Sequence, residues 1–165
     1  MMAADKKLSH IDESGQAKMV NVGQKEVTER VAIVRSVVYL AADTFDLLEN
    51  KALPKGDVLT VAKVAGIQGA KQTAQLIPLC HPLFLSYIDV NFHLNDKNYS
   101  ILVEAEARTN ASTGVEMEAL VAAQVAAMTI YDMCKAVQRD ITISDCRLVY
   151  KSGGRSGTFD VREEK

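Results

Sequence analysis

Residues 88–107 alternate apolar and polar side chains twice, on either side of a turn. Ile88, Val90, Phe92 and Leu94 fall on one side of the first run, and Asp89, Asn91 and His93 on the other. After Asn95-Asp96-Lys97-Asn98, Ile101, Val103, Ala105 and Ala107 alternate against Glu104, Glu106 and Arg108. A period of two puts one set on each face of a sheet, and a slip of one residue would turn the whole apolar set to water. The pattern predicts an antiparallel hairpin with one face to bury.

The rest of the chain supplies what could cover that face. Val27 to Tyr39 is rich in β-branched residues and reads as a long strand. Asp43 or Thr44 is placed to cap a short helix through Phe45, Leu47 and Leu48. Pro54-Lys55-Gly56-Asp57 forms a turn, with Asp57 at the N-cap of a helix expected to run to about Leu76. Gly66 and Gly69 weaken that helix by roughly 1 kcal/mol each relative to Ala, and allow another backbone or a ligand to come close. Thr113-Gly114-Val115-Glu116 matches a capping box, opening a helix whose stripe of Ala119, Leu120, Ala123, Ala126, Ala127 and Ile130 permits tight packing. A last strand is expected from about Ile143 to Lys151. The order strand, helices, two strands, helix, strand resembles the split βαβ arrangement, an α+β fold with helices on one face of an antiparallel sheet. The open face of such a sheet needs cover, which a small subunit can obtain by oligomerising.

At 165 residues the chain fits a single domain, 1–165, with flexible ends expected at about 1–8 and 152–165. Lys and Arg total 19 against 21 Asp and Glu, so a net charge of -2 argues against a nucleic-acid partner held by bulk charge. The first residues carry no apolar signal core, and no run is long enough to span a membrane, so a cytoplasmic protein is expected. Three Cys in such a chain make no disulfide framework.

Four features could carry chemistry. In Pro78-Leu79-Cys80-His81-Pro82, the His could carry a proton or contact a ligand, or the segment could be a corner fixed by two prolines. Metal is disfavoured, because Cys134 and Cys146 form no C-x₂-C pair with each other or with Cys80. Glu116 suits a helix N-terminus through the macrodipole. Glu118 lies on another side of the same helix, free of that duty, and could accept two N–H donors from a guanine-like ring edge. Asp132 and Lys135 share a face three positions apart. They read either as a surface ion pair or as an acid and an amine that pass protons. Glu118 and Asp132 stand fourteen positions apart. On one helix that is roughly 21 Å, too far for one small substrate, so a site using both must take them from two subunits.

The basic residues Lys25, Arg30, Lys55, Lys63, Lys71, Lys151 and Arg155 are dispersed. Lys151-Ser152-Gly153-Gly154-Arg155-Ser156-Gly157 groups backbone N–H donors with hydroxyls and cations, which suits phosphate. A flexible tail reads equally well there, and no Walker A pattern occurs.

Taken in order, several segments resemble the cyclic pyranopterin monophosphate synthase family, the molybdenum cofactor biosynthesis protein C. They are Met19-Val20-Asn21-Val22, Lys55-Gly56-Asp57-Val58, Ala65-Gly66-Ile67-Gln68, Leu76 to Leu83, Thr113 to Leu120, Tyr131-Asp132-Met133-Cys134-Lys135 and Lys151-Ser152-Gly153-Gly154. The resemblance spans almost the whole chain, from Leu8-Ser9-His10-Ile11-Asp12 to Gly157. It implies a ferredoxin-like subunit and a phosphorus–oxygen lyase. The implied reaction converts (8S)-3′,8-cyclo-7,8-dihydroguanosine 5′-triphosphate into cyclic pyranopterin monophosphate and diphosphate. It further implies a hexamer, a trimer of dimers with sites at the dimer interface.

By the same resemblance, Leu79, Cys80, His81, Met117 and Glu118 contact substrate, with Glu116 beside them. Asp132 is the catalytic acid/base, and Lys55 and Lys135 are catalytic lysines. Lys25, Arg30, Lys63, Lys71 and Lys151 hold the triphosphate. No cofactor is required, and whether Mg²⁺ accompanies the triphosphate stays open. The chain departs from the family pattern at Asn21, usually Asp, and at Arg155, often Lys; Arg keeps phosphate binding but not a titratable amine. A non-catalytic nucleotide-binding module is the alternative from another class, since fold alone does not fix function. A pure assembly protein, held together by the Ala-rich helix, would show oligomers but no nucleotide affinity.

Overall fold

The long β-branched run forms β1 (Thr28–Tyr39), with Ala32, Val34, Ser36 and Val38 fully buried on one face. The computed structural model describes residues 14–155 and 157–162. Then come α1 (Ala42–Glu49), α2 (Val58–Lys71), α3 (Thr73–Leu76), β2 (Leu85–Asn95), β3 (Ser100–Ala111), α4 (Glu116–Cys134), β4 (Thr142–Ser152) and β5 (Phe159–Asp160). The strands make one antiparallel sheet in the order β2-β3-β1-β4-β5. Its first four strands have the ferredoxin-like order, and α2 and α4 pack together and onto the sheet.

The hairpin has the register expected from its alternation. Val90 lies opposite Ala105 and Phe92 opposite Val103 on the covered face, while Asp89 meets Glu106 on the other. That other face carries the ion pair Arg35–Glu104 at 2.7 Å. The glycines of α2 serve close packing. A Cβ on Gly66 would stand 2.8 Å from the Ala122 carbonyl of α4, and one on Gly69 would stand 2.8 Å from Val125. With Ala119, Ala122, Ala123, Ala126 and Ala127 all fully buried, the two helices touch almost backbone to backbone.

Asp57 caps α2 as expected, accepting from the Thr60 N–H at 3.1 Å. Three other expectations need correction. Neither Asp43 nor Thr44 caps α1: its N-cap is Ala41, which makes no side-chain hydrogen bond, and Thr44 is buried. The helix through Gly66 stops at Lys71, and after Gln72 a separate turn, α3, completes the stretch to Leu76. The capping box at Thr113–Glu116 does not form, for α4 starts after Val115 without a side-chain cap. The Glu116 carboxylate is drawn instead to Lys151 on β4.

The segment Leu8–Asp12, Ser156 and the expected flexible end at about 1–8 lie outside the described residues. At the other end, β5 pairs with β4 through Tyr150–Asp160 and Lys151–Phe159, and the Arg162 guanidinium lies 4.2 Å from the Tyr150 ring centre. No helix among the described residues is long and apolar enough to cross a membrane.

Candidate active site

The first turn of α4 forms one wall of a cavity of about 360 Å³. Pro78 and Pro82 bracket a short turn in which the Cys80 N–H donates to the Ile77 carbonyl at 3.1 Å. This turn brings Leu79, Cys80 and His81 to the same cavity as Glu116, Met117 and Glu118. Val20, Val22 and Lys25 close it from the N-terminal arm. Glu118 is only 4% exposed. Burial pushes its carboxyl above the ordinary range, and the neighbouring Glu116 charge adds to the rise. The Cys80 thiol is likewise pushed up, first by burial and then by Glu118.

Lys25, Thr113 and Gly114 also border a second cavity, of about 460 Å³. Arg30, Arg155 and Gly154 line its cationic side, and Thr28 and Ser112 add hydroxyls. The Thr28 hydroxyl oxygen is buried and has no hydrogen-bond partner among the described residues. A smaller hollow of about 100 Å³ continues from Arg30 to Lys151, Ser152 and Gly153. There the Lys151 ammonium meets Glu116 at 3.2 Å. One end of α4 thus combines a buried carboxylate pocket with a string of cations, hydroxyls and glycines.

The opposite end of α4 holds a different cluster. Lys55 Nζ donates to Asp132 Oδ2 at 2.9 Å and to the Asp132 carbonyl at 2.8 Å. Lys135 Nζ lies 2.7 Å from Asp132 Oδ1. The turn presenting Lys55 is held by Gly56 in the left-handed region (φ 87°) and by Asp57, which pairs with Lys51 at 2.8 Å as well as capping α2. The two ammonium groups, Lys135 first, pull the Asp132 carboxyl down to about 2, and Asp132 raises Lys135 in return. The cluster is therefore an ionised carboxylate held between two lysine side chains. It is open to solvent, with the Asp132 side chain 55% exposed.

A family model, MoaC, matches residues 19–154. The chain belongs to the MoaC family. It is 68% identical over 151 residues to the cyclic pyranopterin monophosphate synthase of Oleidesulfovibrio alaskensis, covering 92% of this chain and 95% of the relative. The synthase of Nitratidesulfovibrio vulgaris is 66% identical over 92% of this chain and 94% of its own length. Molybdenum cofactor biosynthesis protein 1 of Homo sapiens is 50% identical over 92% of this chain, which matches 24% of that longer protein.

The MoaC match takes in the arm from Met19, both ends of α4 and the Gly153–Gly154 pair, and stops before β5. Within it the structure joins Lys25, Arg30, Lys151 and the residues of the first cavity at one end, and Lys55, Asp132 and Lys135 at the other. Lys63 and Lys71 line none of these cavities. Lys63 pairs with Asp89 on β2 at 2.7 Å; burial opposes ionisation of Asp89, yet this pair, the Val90 backbone N–H and the Asn91 side chain hold its carboxyl below the usual range. Lys71 stands in the last turn of α2. Sequence reasoning did not single out Thr28 or Ser112, because an isolated hydroxyl has no distinguishing spacing. Thr28 lies two residues before Arg30 on β1, and that alternation could have drawn attention to it. No group of three or more His, Cys, Asp or Glu among the described residues could hold a metal ion.

Proposed function

We infer that this chain is a cyclic pyranopterin monophosphate synthase of molybdenum cofactor biosynthesis. It converts (8S)-3′,8-cyclo-7,8-dihydroguanosine 5′-triphosphate to cyclic pyranopterin monophosphate with release of diphosphate. The observation that supports this reading is that α4 carries a buried carboxylate beside a string of cations at one end and the Lys55–Asp132–Lys135 cluster at the other. Glu118 accepts N–H donors of the guanine-derived ring, and the Leu79–His81 turn packs against it. Lys25, Arg30 and Lys151 neutralise the triphosphate, with Arg155, Thr28 and Ser112 on the same wall. Closing the cyclic phosphate requires a sugar hydroxyl to attack the α-phosphorus and lose its proton while the α–β bridging oxygen leaves with diphosphate. Asp132, Lys55 and Lys135 supply that proton traffic, with Lys135 entering as an acid because Asp132 keeps it charged.

The two ends belong to one reaction only if different subunits contribute them, since a straight α4 keeps them roughly 21 Å apart. We therefore read the working enzyme as a cytoplasmic homo-oligomer, a hexamer built as a trimer of dimers, with each site at a dimer interface. Lys63 and Lys71 would reach the triphosphate in that setting. Mg²⁺, if it enters, comes with the phosphates. Incubation with the cyclised dihydro-GTP and mass identification of products tests the reading. Cyclic pyranopterin monophosphate and diphosphate are expected; binding without diphosphate release would return the chain to a nucleotide-binding module.

A further inference from the structure

The glycine pair after β4 is explained by what stands above it. Gly153 and Gly154 both occupy the left-handed region, at φ 95° and 73°. A Cβ on Gly153 would run into the Glu29 carbonyl of β1, a backbone atom that cannot move aside. A Cβ on Gly154 would instead fall inside the Arg30 guanidinium, the far end of a flexible side chain. Among the described residues Arg30 is otherwise tethered by one hydrogen bond, from its Nε to the Ala111 carbonyl at 3.3 Å. From this seat it borders both the 460 Å³ cavity and the hollow that holds Lys151. Gly157 offers a contrast in the same loop: its φ is 68°, but a Cβ there would meet nothing within 4 Å. Backbone conformation alone accounts for Gly157. At Gly154 the space itself is taken.

We propose that Gly154 is a positioning residue of the phosphate site, leaving vacant the volume in which the Arg30 guanidinium sits so that Arg30 meets the substrate's phosphates. The proposal rests on the reading of Arg30 as a phosphate ligand given above. It assigns Gly154 the duty of setting the direction of a cation carried on a different strand. An added methyl would leave the fold intact and turn the guanidinium away.

The test uses the full chain, inorganic diphosphate as probe in calorimetry, and steady-state turnover of the cyclised substrate. Gly154→Ala is expected to weaken diphosphate binding about tenfold and to raise KM by a similar factor, with kcat within about twofold of wild type. Gly157→Ala, which bears comparable backbone strain, should bind as wild type does. In an Arg30→Ala background, Gly154→Ala should add no further loss, because both changes remove the same contact. Unaltered binding by Gly154→Ala overturns the proposal, as does an equal loss in Gly157→Ala or full additivity with Arg30→Ala. A Gly154→Ala chain melting far below Gly157→Ala also overturns it, since the glycine would then serve the fold. Wild-type affinity in Arg30→Ala alone is a separate failure, that of Arg30 as a phosphate ligand.

Discussion

The two ends of α4 treat a carboxylate in opposite ways. At the first turn Glu118 is buried, with no cation paired to it among the described residues, and its proton is held more tightly than usual. At the last turn Asp132 is exposed between two ammonium groups and gives up its proton down to about pH 2. Desolvation governs the first and hydrogen-bonded charge the second. The difference suits different tasks. A buried carboxylate discriminates among ligands by which donors they bring, since a missing donor leaves it unpaired. A solvated carboxylate between amines orients them, and it holds the proton of Lys135 more tightly than usual.

The largest expected effect comes from the exposed end. Lys135→Ala and Asp132→Asn should each lower kcat by about 10²–10⁴, the usual worth of positioned acid–base groups, with substrate affinity little changed. Diphosphate release measured beside equilibrium binding separates the two quantities. Near-normal turnover in Lys135→Ala would remove the lysine from the mechanism.

At the buried end the order reverses. Glu118→Gln should weaken binding about 10–100-fold, since one acceptor oxygen is replaced by a donor facing ring N–H groups. It should also stabilise the empty protein. A carboxyl whose folded pKa is raised binds protons more tightly when folded, so stability falls as pH rises from the ordinary carboxylate value through the raised one. Glu118→Gln should therefore melt a few degrees above wild type at neutral pH, with the difference vanishing as pH falls towards the ordinary value. Differential scanning at several pH values checks this, and a lower melting temperature at pH 7 would contradict the burial argument.

The pH dependence of turnover sharpens the contrast. The Lys55–Asp132–Lys135 cluster contributes its ion pairing above the ordinary Asp range and loses it only as pH falls through about 2. Glu118 protonates at higher pH than that. On acidification KM should therefore rise before kcat falls, and the KM limb should be absent in Glu118→Gln.

Smaller effects are expected where Glu116 meets Lys151. With Lys151 as the proposed phosphate ligand, that carboxylate would compete for the ammonium, so Glu116→Gln should tighten diphosphate binding about threefold and Lys151→Ala should weaken it by at least as much. Binding isotherms at one fixed ionic strength decide the sign. Like signs for both would show that Glu116 is no competitor.

What could be read in advance followed the range of the interactions involved. Alternation along β2 and β3 is local, and Asp57 caps a helix three residues away, so both were legible. The capping box failed because Glu116 is claimed by Lys151, 35 positions later in the chain. The break at Gln72 has no Pro or Gly to announce it, and β5 is two residues long beyond a glycine-rich loop. Within the site, Asp132 and Lys135 are neighbours by helical spacing, whereas Lys55 joins them from 77 positions away. No period in the sequence reveals that meeting, and the family resemblance alone pointed to it. The dispersed cations resolved in the same way: Arg30 and Lys151 converge, with Gly154 beside Arg30, only because β1 and β4 pair.

The central claim is that one reaction uses the buried end of α4 from one subunit and the ionic end from another. Coexpression of Glu118→Gln and Lys135→Ala chains, assayed at substrate far below the raised KM of Glu118→Gln so that each alone is slow, tests it directly through diphosphate release by the mixed oligomer. Random pairing leaves one intact site in each mixed dimer, so activity should recover to about a quarter of wild type. Mixed oligomers that are demonstrably present yet remain as inactive as either parent would contradict the account.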